Sequence, residues 1–221
     1  MAQLDLQLNI TQGSGLIDPK YPTLHPSNIA TVFGSPGASL VATCEGADIA
    51  EAELRKSYSF ELDANGIGRF HLVQSLPGSP SGCAVSVAVH NEPNTSITKS
   101  ASFNSYKSGE RHFKFYNYTS GAPNDNKTPC CIYIGVDQGT DIGPLTTAVA
   151  RASGNSNIAN GQRSTGYSTL DIDKYGCVEI KITSQYSGAD TITVALPESP
   201  DGEFLQLKLN FLKFPIWSGS G

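Results

Sequence analysis

Ser168-Thr-Leu-Asp-Ile-Asp-Lys-Tyr-Gly176-Cys-Val-Glu-Ile-Lys-Ile182 repeats, 110 residues on, the pattern of Tyr58-Ser-Phe-Glu-Leu-Asp-Ala-Asn-Gly66-Ile-Gly-Arg-Phe-His-Leu72. Phe60 aligns with Leu170, Leu62 with Ile172, Asp63 with Asp173, Gly66 with Gly176, Phe70 with Ile180 and Leu72 with Ile182. Apolar residues alternate on both sides of an Asp-x-x-Gly turn, the period of a strand with one face in a core. Asp bonds its own backbone a residue or two on, and Gly supplies positive φ, so each passage is expected to be an antiparallel hairpin. After a loop containing Gly82 or Gly188 comes a third strand, Cys83 to Val89 in one copy and Thr191 to Leu196 in the other. Internal repetition at this spacing sets the domain size, because a seven-stranded sandwich needs about 100 residues.

The expected architecture is therefore all-β: two tandem immunoglobulin-like β-sandwich domains, residues 1–106 and 107–217, with 218–221 a tail or linker remnant. In the first copy, Leu4 to Ile10, Asn28 to Phe33, Ala38 to Cys44 and Ser96 to Phe103 read as further strands, with Gly34-Ser-Pro-Gly37 a turn. In the second, His112 to Tyr118, Cys130 to Val136, Leu145 to Ala150 and Phe204 to Phe211 do the same. Ala47 to Lys56 is the one helix-prone stretch, expected to form one or two turns. Likeness between the copies is strongest in their second halves.

Composition narrows the function. Of 221 residues, 38% are hydrophobic and only 16% charged, too apolar for disorder. A net charge of −5 offers no basic stripe for nucleic acid and no cluster for an anionic membrane. No run approaches the roughly 18 apolar residues of a membrane span. The N-terminus lacks an apolar leader, so the chain reads either as cytosolic when made or as a mature piece of an exported protein. Cys44, Cys83, Cys130, Cys131 and Cys177 read as buried free thiols, with a Cys44–Cys83 bridge left open.

The second copy carries Ile134-Gly-Val-Asp-Gln-Gly-Thr-Asp-Ile-Gly-Pro-Leu-Thr-Thr-Ala-Val149, then Gly154 to Ile158, the Asp173–Gly176 turn, Gly188 and Ile192-Thr-Val194. An apolar strand ending in an Asp/Gly turn, a Pro step, a Gly-rich bend and an Asp-x-x-Gly turn resemble the bacterial immunoglobulin-like repeats of the invasin and intimin adhesins. The first copy matches from Ala38 to Val89. The five cysteines depart from that family. The resemblance implies a non-catalytic adhesion or spacer module that meets a protein or cell-surface partner from an extracellular or cell-surface position.

No catalytic, cofactor or metal residue is assigned. His25, His71, His90 and His112 are scattered, and no nucleophile-elbow, zinc-protease or phosphate-loop motif appears. Asp137 with Asp141, and Asp171 with Asp173, are the nearest approach to a calcium cluster, but neither has the spacing of a self-sufficient loop. Asn-x-Ser/Thr sequons at Asn9, Asn94, Asn117 and Asn126 are expected by chance in such a composition. Aromatic residues are the remaining lead. Phe113 and Phe115 are expected to face the core, leaving Tyr116 and Tyr118 on the other face; these two and Trp217 are the binding candidates, for a protein or a glycan. A decorating subunit of a phage, secretion or self-assembling particle is the alternative, favoured by a long apolar last strand able to self-associate. A carbohydrate-binding module is the third.

Overall fold

The computed structural model describes residues 6–13, 24, 27–74, 82–103, 107–109, 112–137, 145–199 and 203–213. They fall into two compact units, one holding residues 6–13 and 27–103, the other Leu24 and residues 107–213.

The first unit contains β1 (Gln7–Ile10), β2 (Asn28–Phe33), β3 (Ser39–Glu45), β4 (Ala47–Ile49), β5 (Ser57–Glu61), β6 (Ile67–Gln74), β7 (Gly82–Val89) and β8 (Glu92–Ser102). One sheet runs β1-β2-β6-β4 and the other β5-β3-β7-β8. Leu8, Ile10, Val32, Leu40, Phe70, Leu72, Val85 and Val87 are buried between them. Each such side chain contributes about 1.5–3 kcal/mol relative to exposure.

The second unit contains β9 (Lys107–Ser108), β10 (Phe113–Tyr118), β11 (Ala122–Pro123), β12 (Cys130–Val136), β13 (Thr147–Ala152), β14 (Asn157–Ile158), β15 (Gln162–Ser164), β16 (Tyr167–Asp171), β17 (Cys177–Thr183), β18 (Gly188–Ala195) and β19 (Phe204–Leu212). Its sheets are β14-β17-β12-β10-β9 and β11-β19-β18-β13-β16-β15. The order β1-β2-β6 recurs as β10-β12-β17, and β5-β3-β7-β8 recurs as β16-β13-β18-β19. Both units are immunoglobulin-like sandwiches.

The shared turn is the same in atomic detail. Asp63 Oδ1 accepts the N–H groups of Asn65 and Ile67 at 2.8 and 2.9 Å, and Asp173 Oδ1 accepts those of Tyr175 and Cys177 at 2.8 and 2.9 Å. Gly66 and Gly176 take φ of 71° and 77°. The turn does not, however, close a hairpin. β5 and β6 lie in different sheets, as do β16 and β17, so it carries the chain across the sandwich. Two strands that face each other over a core alternate just as two that hydrogen-bond side by side.

The repeat also reaches the first strands. Thr11 Oγ1 accepts the Ile29 N–H at 2.8 Å, and Thr119 Oγ1 accepts that of Cys131 at 2.7 Å. Asn9 and Asn117, two residues earlier in each case, are buried beside them. The sequons at Asn9 and Asn117 thus fall at equivalent, buried positions of the two units.

Two further expectations change. Ala47 to Lys56 forms one turn as expected, a 3-10 turn over Ala50–Ala52, but its first residues, Ala47–Ile49, are strand β4. Phe113 and Phe115 do not share a face. Phe113 pairs with Val136 and Phe115 with Gly135, so Lys114 is an extra residue, a bulge that flips the phase. Phe113 enters the main core, whereas Phe115 joins Cys131, Tyr133, Cys177 and Leu24 on the outer face of the sheet. β12 is buried on both faces as a result, which accounts for its unbroken apolar run.

All five cysteines are buried free thiols. Burial pushes the Cys130 and Cys131 thiols up to about 12. A hydrogen bond to the Cys83 thiol, then burial, pushes Cys44 up as well. Because all five are buried, a thiol-specific reagent should find almost none of them in the folded chain and all five in denaturant. A count of three in denaturant would show Cys44 and Cys83 bonded, and rapid labelling of the native chain would contradict their burial.

Candidate binding groove

One end of the second unit, opposite the Asp173–Gly176 turn, gathers the β13–β14 loop, the β15–β16 turn, the β17–β18 loop and the β11–β12 loop. Asp190 holds the β13–β14 loop, and Asn160 ties the connection between β14 and β15 to β17. Asp190, only 7% exposed, accepts the Ser153 hydroxyl at 3.0 Å and the N–H groups of Gly154 and Ser156 at 2.8 and 3.1 Å. Burial alone would raise its carboxyl, but the bonds from Ser156, Ser153 and Gly154 outweigh that and hold it below the usual aspartate value. A Cβ on Gly154 would lie 3.0–3.1 Å from the carboxylate, so glycine is what allows the loop to wrap it.

Asn160 acts as a stand-in for a strand residue. Its Nδ2 donates to the Glu179 carbonyl and its Oδ1 accepts the Lys181 N–H, both at 2.8 Å. The β11–β12 loop is tied on by Asn126 N–H to the Ser184 carbonyl at 2.9 Å and Asn124 Nδ2 to the Gln185 carbonyl at 3.2 Å.

This frame holds a groove of about 380 Å³ along the open edge of the sandwich, between β14 of one sheet and β15 of the other. Arg151, Ser156, Asn157, Arg163, Ser164 and Tyr167 line it. The Tyr167 residue is 46% exposed. A hollow of about 100 Å³ shares Gly154 and Ser156 and carries Tyr186, 54% exposed. The groove walls contain two arginines and no carboxylate, and neither arginine has an ion-pair partner among the described residues.

The aromatic candidates lie elsewhere. Tyr116 and Tyr118 are half-buried against the main core, because the Lys114 bulge turns them toward it; the expected free face is corrected. Trp217, Tyr106 and Phe214 lie outside the described residues. The signal that could have found the groove in the sequence is charge: residues 142–170 include Arg151 and Arg163 and no Asp or Glu, in a chain with 20 acidic residues.

The remaining polar residues have structural posts. Glu51 clamps β6 through the His71 N–H at 2.8 Å and His71 Nδ1 at 2.5 Å; against the opposing effect of burial, these bonds hold Glu51 below its usual value. Asp137 pairs with Lys114 at 3.1 Å, Asp173 caps its turn, Asp171 is exposed, and Asp141 and His25 lie outside the described residues. No three metal-ligating side chains gather among the described residues. Ser199, His112 and Glu203 do meet, at 3.4 and 3.2 Å, but both oxygens address the same nitrogen, Nδ1. A nucleophilic triad needs the carboxylate on one ring nitrogen and the hydroxyl on the other.

Fold and site together define tandem immunoglobulin-like β-sandwiches with a polar, cationic groove at one end of the second. No family model and no curated protein matches the sequence. Among solved structures, the chain is similar to invasin, a bacterial integrin-binding protein, at 15% identity and a TM-score of 0.35, covering 96% of this chain and 40% of that one. It is also similar to the D0–D1 domains of intimin, at 12% identity and 0.34, covering 85% and 90%. A fragment of intimin in complex with the translocated intimin receptor's intimin-binding domain matches at 12% and 0.33, covering 95% and 64%. These are the invasin- and intimin-type domains that the repeat resembles. The chain spans about two fifths of the invasin chain.

Proposed function

We propose that the chain is a non-catalytic binding module whose contact surface is the groove-bearing end of the second unit, displayed toward a cell-surface partner. The observation that carries this reading is the preorganised frame: Asp190 fixes the β13–β14 loop and Asn160 the β14–β15 connection before any partner arrives. A surface already in its bound shape spares the ordering entropy that a mobile loop would lose. The cell-surface setting draws its support from the sequence resemblance. Beads coated with the full chain should attach to some members of a panel of cultured animal and bacterial cells. Joint replacement of Arg151, Arg163 and Tyr167 by alanine should cut attachment at least about tenfold with the fold intact, since central arginine and tyrosine anchors dominate interfaces. A folded chain that attaches to none, or a triple variant that attaches as before, would overturn the reading.

One observation favours assembly as a second reading. β11 covers only Phe211 and Leu212 of β19, so the outer edge from Phe204 to Leu209 has no strand partner among the described residues, and Phe204 is 58% exposed. Light scattering that found higher oligomers of a chain unable to attach to cells would move support to this edge.

A further inference from the structure

We infer that the groove between β14 and β15 binds an acidic oligosaccharide, its carboxylates on Arg151 and Arg163 and a sugar ring against Tyr167. The inference rests on the groove-bearing end being the contact surface.

Charge is the first ground. The chain as a whole is acidic at −5, yet the groove walls hold two arginines and no carboxylate. Neither arginine is spent on an internal ion pair among the described residues. Guanidinium groups left unpaired beside a cleft match carboxylates through forked, charge-assisted hydrogen bonds. Two such groups in an acidic chain do not make the extended basic track that a nucleic acid needs.

The rest of the lining selects among anions. Ser156, Asn157 and Ser164 offer hydroxyl and amide groups that both donate and accept, as sugar hydroxyls do. The apolar lining is limited to Ala150, Ala152 and Ile158, which make no pocket for a peptide anchor. Strand β15, three residues long, is too short an edge for a peptide to extend by several backbone bonds. The half-exposed Tyr167 ring presents an apolar face with a polar tip, suited to the C–H face of a pyranose. At about 380 Å³ the groove falls within the roughly 300–1,000 Å³ of small-ligand clefts.

The test is calorimetric titration of the intact chain with oligogalacturonate, maltohexaose and oligoglutamate, at low and high salt. Oligogalacturonate should bind, weaken with salt, and bind at least about tenfold tighter than neutral maltohexaose, the loss expected when a charge-assisted contact is removed. Arg163→Gln and Tyr167→Ala, both exposed and away from the core, should each weaken it about tenfold or more, while Lys208→Gln on β19 should leave it unchanged. Equal binding of maltohexaose, equal binding of oligoglutamate, or unchanged binding by both groove variants would overturn the ligand class. The two readings fail separately. Attachment lost in the triple variant with no saccharide bound leaves the contact surface standing and overturns only the oligosaccharide. Saccharide bound by a chain that attaches to no cell supports the ligand and overturns the contact role.

Discussion

Gly66→Ala should destabilise the first unit by about 2–5 kcal/mol, the sum of a left-handed backbone penalty of about 1–2 and an overpacking cost of about 1–3. Gly66 sits at φ 71°, and a Cβ there would lie 2.1 Å from the Gly34 carbonyl oxygen. That neighbour is backbone, fixed further by the Gly34 N–H bond to the Gly66 carbonyl at 3.0 Å, so no rotamer change relieves the clash. Gly37 supplies the control. Its φ is 74° but nothing lies within 4 Å of its Cβ position, so Gly37→Ala should show the backbone penalty alone. Urea midpoints of the two variants check this. Equal losses would mean that the close approach at Gly66 carries no cost.

The second large effect is at Asp190. Asp190→Ala removes an ionised acceptor from one hydroxyl and two backbone N–H groups and should cost about 2–4 kcal/mol at neutral pH, on the scale of hydrogen bonds to charged groups. The fold holds this carboxyl below its unfolded value, so its contribution is complete above that value, about 3.9, and disappears as pH falls through the lower folded one. The gap between wild type and variant in urea should therefore narrow on acidification below about pH 4. A gap that persists undiminished in strong acid would show that packing, not ionised hydrogen bonding, holds the loop. Glu51 and Glu198 are shifted the same way by their partners, so the whole chain should lose stability over the same range.

What could be read from sequence was what local chemistry decides. Asp63 and Asp173 bond the next residues of their own turns, and Gly66 and Gly176 take the conformation glycine favours; both are interactions over four residues. Whether those turns stay in one sheet or cross to the other was illegible, because Leu62 and Ile172 are buried either way. The bulge at Lys114 has no residue signature, and one inserted position was enough to send Tyr116 and Tyr118 to the other face. Asp190 resembled any polar strand residue, since the loop it holds lies some 36 residues earlier. The groove was hidden for the same reason: β14 and β15 come from opposite sheets, and their juxtaposition is a property of the sandwich. Its only trace along the chain was the acid-free run around Arg151 and Arg163.

The parallel pairing of Ala122 and Pro123 with Phe211 and Leu212 joins the third strand of its unit to the last. Its consequence is kinetic. A contact spanning almost ninety residues forms only after the intervening strands have been ordered, and folds built on such distant pairings are slow to reach their native state. During synthesis the second unit cannot close until Leu212 has left the ribosome. The eight strands of the first unit, the last of which ends at Ser102, have about a hundred residues of elongation in which to pair, about five to twenty seconds at ordinary rates. Order of emergence thus separates two similar sandwiches in time, which limits the exchange of equivalent strands between them.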